Sequence, residues 1–219
     1  MSENKKLKIL ITAGPTREFI DPVRFISNPS TGKMGVAVAE AALEKGHDVT
    51  LVFGPVSLPL PGNSNNINVI SGLEMKEAVV SNFTECDVLI MTAAVADYRP
   101  VKKHSEKIHK TSDRITIELE KNPDILKEIK KIKTHQKIIG FAAETEDMVE
   151  SGARKLKEKN LDLIIANKVG TEKSGFGSEN LEAVAILKNG AKEDLGCIGK
   201  KEAAEYIIKY AEKLKGLKD

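Results

Sequence analysis

The sequence contains no tryptophan, and only 4% of its 219 residues are aromatic. A surface that stacks single-stranded bases needs such rings, so that kind of binder is not expected. Excess charge of one sign is also missing. The 34 basic and 32 acidic side chains leave +2, and no bulk field draws the chain to nucleic acid or to a membrane. Cysteine is scarce: Cys86 and Cys197 stand far apart without a CxxC partner. Neither a disulfide framework nor a zinc site follows, and both thiols are expected in the core. The most apolar stretch, Val88 to Ala96, is far short of the roughly 20 residues that span a bilayer. The start, MSENKKLK, is polar and has no apolar signal segment, so a cytoplasmic location is expected.

Several motifs are absent too. The first loop is not GxGxxG, because Gly14 is followed by Pro15 and Thr16. Ser30-Thr31-Gly32-Lys33 looks like half of a Walker loop. Met34, however, stands where a hydroxyl would hold magnesium, and the upstream glycine position is Ser27. No Ser-His-Asp or Cys-His spacing marks covalent catalysis. His104 and His109 lack a carboxylate arranged with them for metal binding.

What is present is globular: 41% hydrophobic and 30% charged residues. Apolar, β-branched runs at Leu7–Ala13, Asp48–Phe53, Ile67–Ile70, Asp87–Ala96, Lys137–Ala143 and Leu161–Asn167 read as buried strands. Helical stretches alternate with them at Lys33–Lys45, Leu73–Phe83, Met148–Lys159 and Lys200–Lys215. Gly46 supplies a C′ residue for the first of these helices. Another helix runs from Asn122-Pro123 to about Lys131, with Asn122 as N-cap. Small residues such as Gly35, Ala39 and Ala42 would let the first helix sit close to the sheet. The pattern predicts an α/β fold, a doubly wound, Rossmann-like, mostly parallel sheet in one domain over residues 1–219. Two amphipathic segments do not suit its interior: Arg114–Glu120, and Leu181–Leu187 with Lys192–Leu195 across Asn189-Gly190. The Asn-Gly pair predicts a type I′ turn. These segments are expected to form an antiparallel extension or a small subdomain used for dimerisation.

In such sheets ligands bind beyond the carboxyl ends of the strands, near the switch in strand order. That rule selects GPTREFIDPVRFISNPSTGKMG, AAVADYRP, GFAAET and ANKVGTEKSGFGSEN. Only five basic residues are Arg, and three of them, Arg17, Arg24 and Arg99, fall near these strand ends. The planar guanidinium fork suits phosphate and carboxylate. Ser30, Thr31 and Gly32 lead into a helix start that is either an ordinary hydroxyl-capped terminus or an anion seat. KKHSEKIHK, residues 102–110, is either a solvated basic loop or a lid that brings lysine to a polyphosphate.

Taken together, TAGPTREFIDPVRFISNPSTGKMG, AAVADYR, EKIHK, KNPDIL, GFAAET and KNLDLIIANKV followed by GFGSEN resemble the phosphopantothenate–cysteine ligase family of bacterial coenzyme A biosynthesis. The resemblance implies a chain that condenses 4′-phosphopantothenate with cysteine, using CTP and Mg²⁺, through an acyl-cytidylate, and that releases pyrophosphate and CMP. It also implies a homodimer. In many bacteria the unit is the C-terminal half of a bifunctional protein, behind an FMN-dependent decarboxylase. Position by position, Asn28 matches the catalytic Asn that orients the intermediate for attack by cysteine. Arg24 matches an Arg near phosphopantothenate, and Lys107 the catalytic Lys of the lid. Ala93, Asp97, Phe141, Lys155 and Lys159 match nucleotide positions, as do Pro123, Asp124, Ile125 and Leu126 at a helix start. Two departures stand out. His109 replaces a lysine of the lid and carries charge only when protonated. Phe176-Gly177-Ser178-Glu179 replaces a Phe-x-Ser-Asp pattern, which argues against Glu179 as a metal ligand.

A nicotinamide-dependent oxidoreductase on the same sheet is the competing reading. Tyr98 and Lys102 have the Tyr-x-x-x-Lys spacing, but Pro100 between them opposes a shared helix face. A nucleotide-binding module without turnover is a third.

Overall fold

The computed structural model describes residues 6–110, 113–170, 175 and 177–217. Strand β1 (Lys8–Ala13) opens the central sheet, and a hairpin of β2 (Arg17–Phe19) and β3 (Phe25–Ser27) precedes α1 (Lys33–Glu44). Then come β4 (Asp48–Phe53), β5 (Asn65–Asn68), α2 (Gly72–Phe83) and β6 (Val88–Met91). β7 (Tyr98–Pro100) pairs antiparallel with β8 (Leu119–Lys121) in a second small sheet. The chain ends with α3 (Ile125–Ile132), β9 (Lys137–Glu144), α4 (Met148–Glu158), β10 (Leu163–Lys168), β11 (Asn180–Leu187), β12 (Lys192–Gly199) and α5 (Lys200–Leu214).

The large sheet has the order β12-β11-β10-β9-β6-β1-β4-β5. From β10 to β5 it is parallel throughout. β11 is antiparallel to both of its neighbours, so β12 points the same way as β10. From β1 the chain goes first to β4 on one side and later to β6 on the other. The β1–β6 boundary is therefore the switch point, where a ligand crevice is expected.

Strand periodicity divides the core into two layers. Ile9 and Ile11 join the cluster that includes Val38, Ala39 and Ala42 of α1 and Ala204 and Ile207 of α5. Leu10 points the other way, with Met75 and Val79 of α2, Ile129 of α3 and Leu156 of α4. The small residues of α1 do what their size suggests. A Cβ at Gly35 would lie 2.4 Å from Ala13 Cβ and 2.6 Å from Thr92 Oγ1. Gly46 has φ 82° beyond the last turn of α1 and donates its N–H to Leu43 O. Among the described residues no helix is long and apolar enough to cross a membrane.

Several boundaries depart from the sequence reading. The hairpin β2–β3 lies where only a loop is expected; its strands are too short for periodicity to register. The segment 87–96 leaves the ladder after Met91. The amphipathic stretch at 114–120 pairs only from Leu119 onward. The β11–β12 hairpin does extend the sheet, as expected, but its turn is not type I′. Gly190 alone there has positive φ (88°), and Asn189 Oδ1 accepts the Ala191 N–H. That is the pattern of a type I turn closed by a left-handed glycine. Helix α3 is capped by Asp124, whose side chain accepts from Lys127 N, and not by Asn122. Asn122 is engaged instead with Ala96 O and Arg99. Cys86 is buried, but Cys197 is exposed, because β12 is an edge strand with one open face.

Candidate active site

The carboxyl ends of β1 and β6 continue past the ladder as two laced segments. Ala94 N–H donates to Gly14 O (2.9 Å), and Thr16 N–H donates to Ala94 O (3.3 Å). The buried Thr16 hydroxyl accepts Ala96 N–H at 3.0 Å, and Ser27 Oγ donates to Thr16 O at 2.7 Å. Asn28 follows directly, and its Nδ2 donates to Ala94 O (3.1 Å) and Val95 O (3.3 Å). Both amide hydrogens are thus committed to backbone, and the amide oxygen is the atom left for a ligand.

Above this platform lies a cavity of about 410 Å³ at the ends of β1, β6, β9 and β10. One wall is the start of α1. Its N-cap is Gly32 at φ 81°, with no side-chain cap. A Cβ at Gly32 would also strike Val56 Cγ1 at 2.5 Å. Neither Ser30 nor Thr31 caps this helix, so the hydroxyl-cap alternative is not what forms. The first N–H groups of α1 and the positive end of its dipole face the cavity, which suits an anion.

The cavity's cations come from both faces of the sheet. Lys33 (α1) and Lys200 (α5) belong to one face, and Lys155 (α4) to the other. Lys155 pairs with Glu144 at 2.6 Å. Lys33 pairs with Glu179, whose carboxyl it holds below the usual range. For Lys200 no carboxylate stands within ion-pair distance among the described residues. Burial, and then repulsion from Lys33, lower its pKa. An anion placed there would relieve both effects.

The structure gathers Asn28, Ala93, Asp97, Phe141 and Lys155 around this one cavity. Lys159 and the Pro123–Leu126 segment form its flank and are not part of the lining. Lys159 pairs with Asp124 at 3.3 Å, Ile125 is buried, and Asn122 N–H donates to Asp97 O. Arg24 and Lys107 lie outside the lining as well. Arg24 is engaged with Asp21 and with Ile108 O, and Lys107 is exposed beside Ile108. Phe176 falls outside the described residues. Tyr98 and Lys102 share no helix, since Tyr98 is in β7.

Sequence reasoning missed Asn167 and Lys200, both of which line the cavity. A signal for Lys200 was available. It follows the carboxyl end of β12, at the same rim as β10. Ending that strand at Leu195 instead of Gly199 hid it.

Comparison with known proteins agrees with this geometry. The family model described as DNA/pantothenate metabolism flavoprotein C-terminal domain matches residues 4–214. The coenzyme A biosynthesis bifunctional protein CoaBC of Vibrio vulnificus is 46% identical over 211 residues, 95% of this chain and 52% of that protein. Its Escherichia coli counterpart is 43% identical over 221 residues, 97% of this chain and 54% of that protein. The chain therefore spans about half the length of these curated relatives. A solved C-terminal domain of CoaBC superposes with TM-score 0.82 at 42% identity, covering 97% of this chain and 98% of that one. A Cab2 variant in complex with phosphopantothenate-cysteine has TM-score 0.78 at 17% identity, covering 96% and 88%, a likeness of fold alone. With the strand order, the crevice and the sequence all in agreement, the chain belongs to the DNA/pantothenate metabolism flavoprotein C-terminal domain family.

Proposed function

We propose that this chain is a CTP-dependent ligase that joins 4′-phosphopantothenate to cysteine. The observation that carries the reading is the cavity at the switch point, with cations from both sheet faces and Asn28 on its wall. The curated relatives' names place them in coenzyme A biosynthesis.

The chemistry needs such a cavity. A carboxylate does not take an amine until its oxygen becomes a good leaving group. The phosphopantothenate carboxylate attacks the α-phosphorus of CTP, a new P–O bond forms, and pyrophosphate leaves. Two like unit charges 4 Å apart repel by about 4 kcal/mol at an effective dielectric of about 20. Fixed cations must offset that repulsion. Lys155, Phe141, Asp97 and Ala93, with Lys159 and the Pro123–Leu126 segment on the flank, form the nucleotide side. Lys107 reaches the triphosphate from its loop, and Arg24 serves the phosphopantothenate and its activated intermediate. The start of α1, with Lys33 and Lys200 on the opposite face, is left for the 4′-phosphate. The cysteine amine then attacks the acyl-cytidylate carbonyl, giving the amide, CMP and a proton. Asn28 Oδ1 accepts a hydrogen bond from the incoming amine and so directs it.

Magnesium fits this arrangement modestly. Among the described residues no cluster of three metal-binding side chains exists. Mg²⁺ usually takes one or two carboxylates plus substrate phosphates, and Asp97 is an exposed carboxylate on the lining. There the ion would neutralise phosphate charge.

We also assign a homodimer and, in a full-length relative, a fused FMN-dependent decarboxylase half. Val23, Phe25, Tyr98, Val101, Ile115 and Leu119 are large, apolar and exposed on the small sheets and the segment joining β7 to β8. A second copy would cover them. The deciding assay incubates the chain with 4′-phosphopantothenate, cysteine and each nucleoside triphosphate in turn. CMP and pyrophosphate appearing with CTP support the reading. No turnover with any nucleotide rejects it, and tight NADPH binding would revive the oxidoreductase.

A further inference from the structure

The loop carrying Lys107 is held down at one residue by an ion pair from far away in sequence. Ile108 N–H donates to Asp21 Oδ2 at 3.1 Å, and Ile108 O accepts from Arg24 Nη2 at 3.0 Å. The Asp21–Arg24 pair thus offers one acceptor and one donor to a single residue, as a neighbouring strand would. Two more tethers reach the same loop. His104 N–H donates to Ile20 O at 2.9 Å, and Lys103 Nζ lies 5.3 Å from the Phe19 ring centroid.

Asp21 has a second duty that explains its own placement. Its Oδ1 accepts the Val23 and Arg24 N–H groups, both at 2.8 Å, and so closes the β2–β3 turn. Its Oδ2 serves Arg24 Nε (3.0 Å), Arg24 Nη2 and Ile108. The side chain has no accessible surface, although it sits in a surface hairpin. Its shelter is its own turn and the clasped loop. One oxygen builds the hairpin, and the other holds the loop.

We propose that Asp21 is a positioning residue, which fixes the Lys107 segment by clasping Ile108 together with Arg24. The proposal rests on the ligase reading in which Lys107 serves the triphosphate. Asp21 touches no reactant. It acts through the residue next to Ile108, by limiting where that ammonium can be.

Asp21→Asn separates the two duties. The amide oxygen can keep the Oδ1 bonds of the turn. The NH₂ then faces the Ile108 N–H and the guanidinium, donor against donor, and the clasp opens. The variant should melt close to wild type. Hydrogen exchange at residues 104–110 should quicken at least about ten-fold, since each amide's protection follows its local opening. Pyrophosphate release should fall on the order of ten- to hundred-fold in kcat, with less change in KM for CTP. In the Lys107→Gln background Asp21→Asn should add almost nothing, because both changes remove one function.

Unchanged exchange overturns the clasp. Faster exchange with unchanged kcat overturns the positioning role, and so do losses that multiply in the double variant. Should Asp21→Asn fail to fold, Ile108→Pro removes the same N–H from the other partner and is held to the same outcomes. If wild type turns over no nucleotide, the ligase reading fails on its own, and the exchange comparison still judges the clasp.

Discussion

Gly35→Ala puts the packing argument to its hardest test, because helix propensity and tertiary packing pull in opposite directions. Within a helix, Ala is favoured over Gly by about 1 kcal/mol. At this site the new methyl carbon would stand 2.4 Å from Ala13 Cβ, 2.9 Å from Ala13 Cα and 2.6 Å from Thr92 Oγ1. Carbon atoms prefer about 3.5–4.0 Å. None of the three neighbours can yield by rotating. Ala13 belongs to a central strand, and Thr92 Oγ1 is bonded to Thr12 O at 2.5 Å. The helix must therefore back away from the sheet by about 1 Å, an overpacking cost of about 1–3 kcal/mol. We take the upper end because backbone has to move, which leaves a net loss of about 1–2 kcal/mol. In a chain this long that lowers Tm by about 2–8 °C.

Gly152→Ala in α4 is the internal reference. Its closest neighbour would be Ile186 Cδ1 at 2.8 Å, the tip of a flexible side chain, and Ala166 Cβ stands at 3.2 Å. Its Tm should lie clearly above that of Gly35→Ala and within about 3 °C of wild type, since helix propensity offsets a small rearrangement. Thermal and urea unfolding of the two variants, side by side, make the measurement. A Gly35→Ala protein that melts at or above wild type, or a matched pair of variants, refutes the reasoning. The first turn of α1 walls the cavity, so Gly35→Ala should also lose activity on the order of a hundred-fold.

Three further outcomes are expected. Asn28→Asp should still release pyrophosphate but form little amide, because a carboxylate cannot donate to the Ala94 and Val95 carbonyls and turns away; equal loss of both products contradicts this. Lys200→Gln should raise KM for 4′-phosphopantothenate roughly ten- to hundred-fold, the worth of a charge-assisted hydrogen bond, and leave KM for unphosphorylated pantothenate unchanged. Equal effects on the two substrates would remove Lys200 from the phosphate. Burial pushes the Asp162 carboxyl up, but hydrogen bonds from Lys133 and the Ile138 N–H outweigh it and the pKa is lowered. Its stabilisation is therefore complete above about pH 4, the ordinary carboxylate value, and is lost as pH falls through the lower folded value. Asp162→Asn should cost about 3–5 kcal/mol at neutral pH and flatten the acid side of the urea-stability profile; an unchanged slope below pH 4 would count against the ion pair.

Which parts of the molecule were legible in the sequence follows from how each part is held. The buried parallel strands were readable because both faces of β1, β6, β9 and β10 are covered, so their residues are almost all apolar. The strand-end rule then found the cavity, and the family motifs found Asn28, Asp97 and Lys155 within it. Asn122 and Asp124 were harder to tell apart, since either side chain can cap a helix. The choice was made by Ala96 O and Arg99, tertiary partners that local sequence does not show. The β2–β3 hairpin was invisible for the same reason. Its three-residue strands depend on one buried carboxylate and on a loop more than eighty residues away.

The segment Thr92–Ala96 shows how the fold becomes a site. It reads as strand because it is apolar and extended, yet it bonds to the Thr12 hydroxyl and to loop atoms of Gly14, Thr16 and Asn28 and not to a regular ladder. Had it stayed in the sheet, its carbonyls would be spent on regular pairing and no crevice would open between β1 and β6. Had it been an ordinary loop, Asn28 would have no fixed carbonyls to bridge. Lacing two strand ends together, one step beyond the sheet, keeps the rigidity of the core while freeing one face for a ligand. The side chains that do this, Thr12, Thr16 and Ser27, carry no charge and are not part of the cavity lining, so motif reasoning passes over them. They hold in place the carbonyls that fix the Asn28 amide, which on the proposed reading leaves its oxygen still enough to direct an amine.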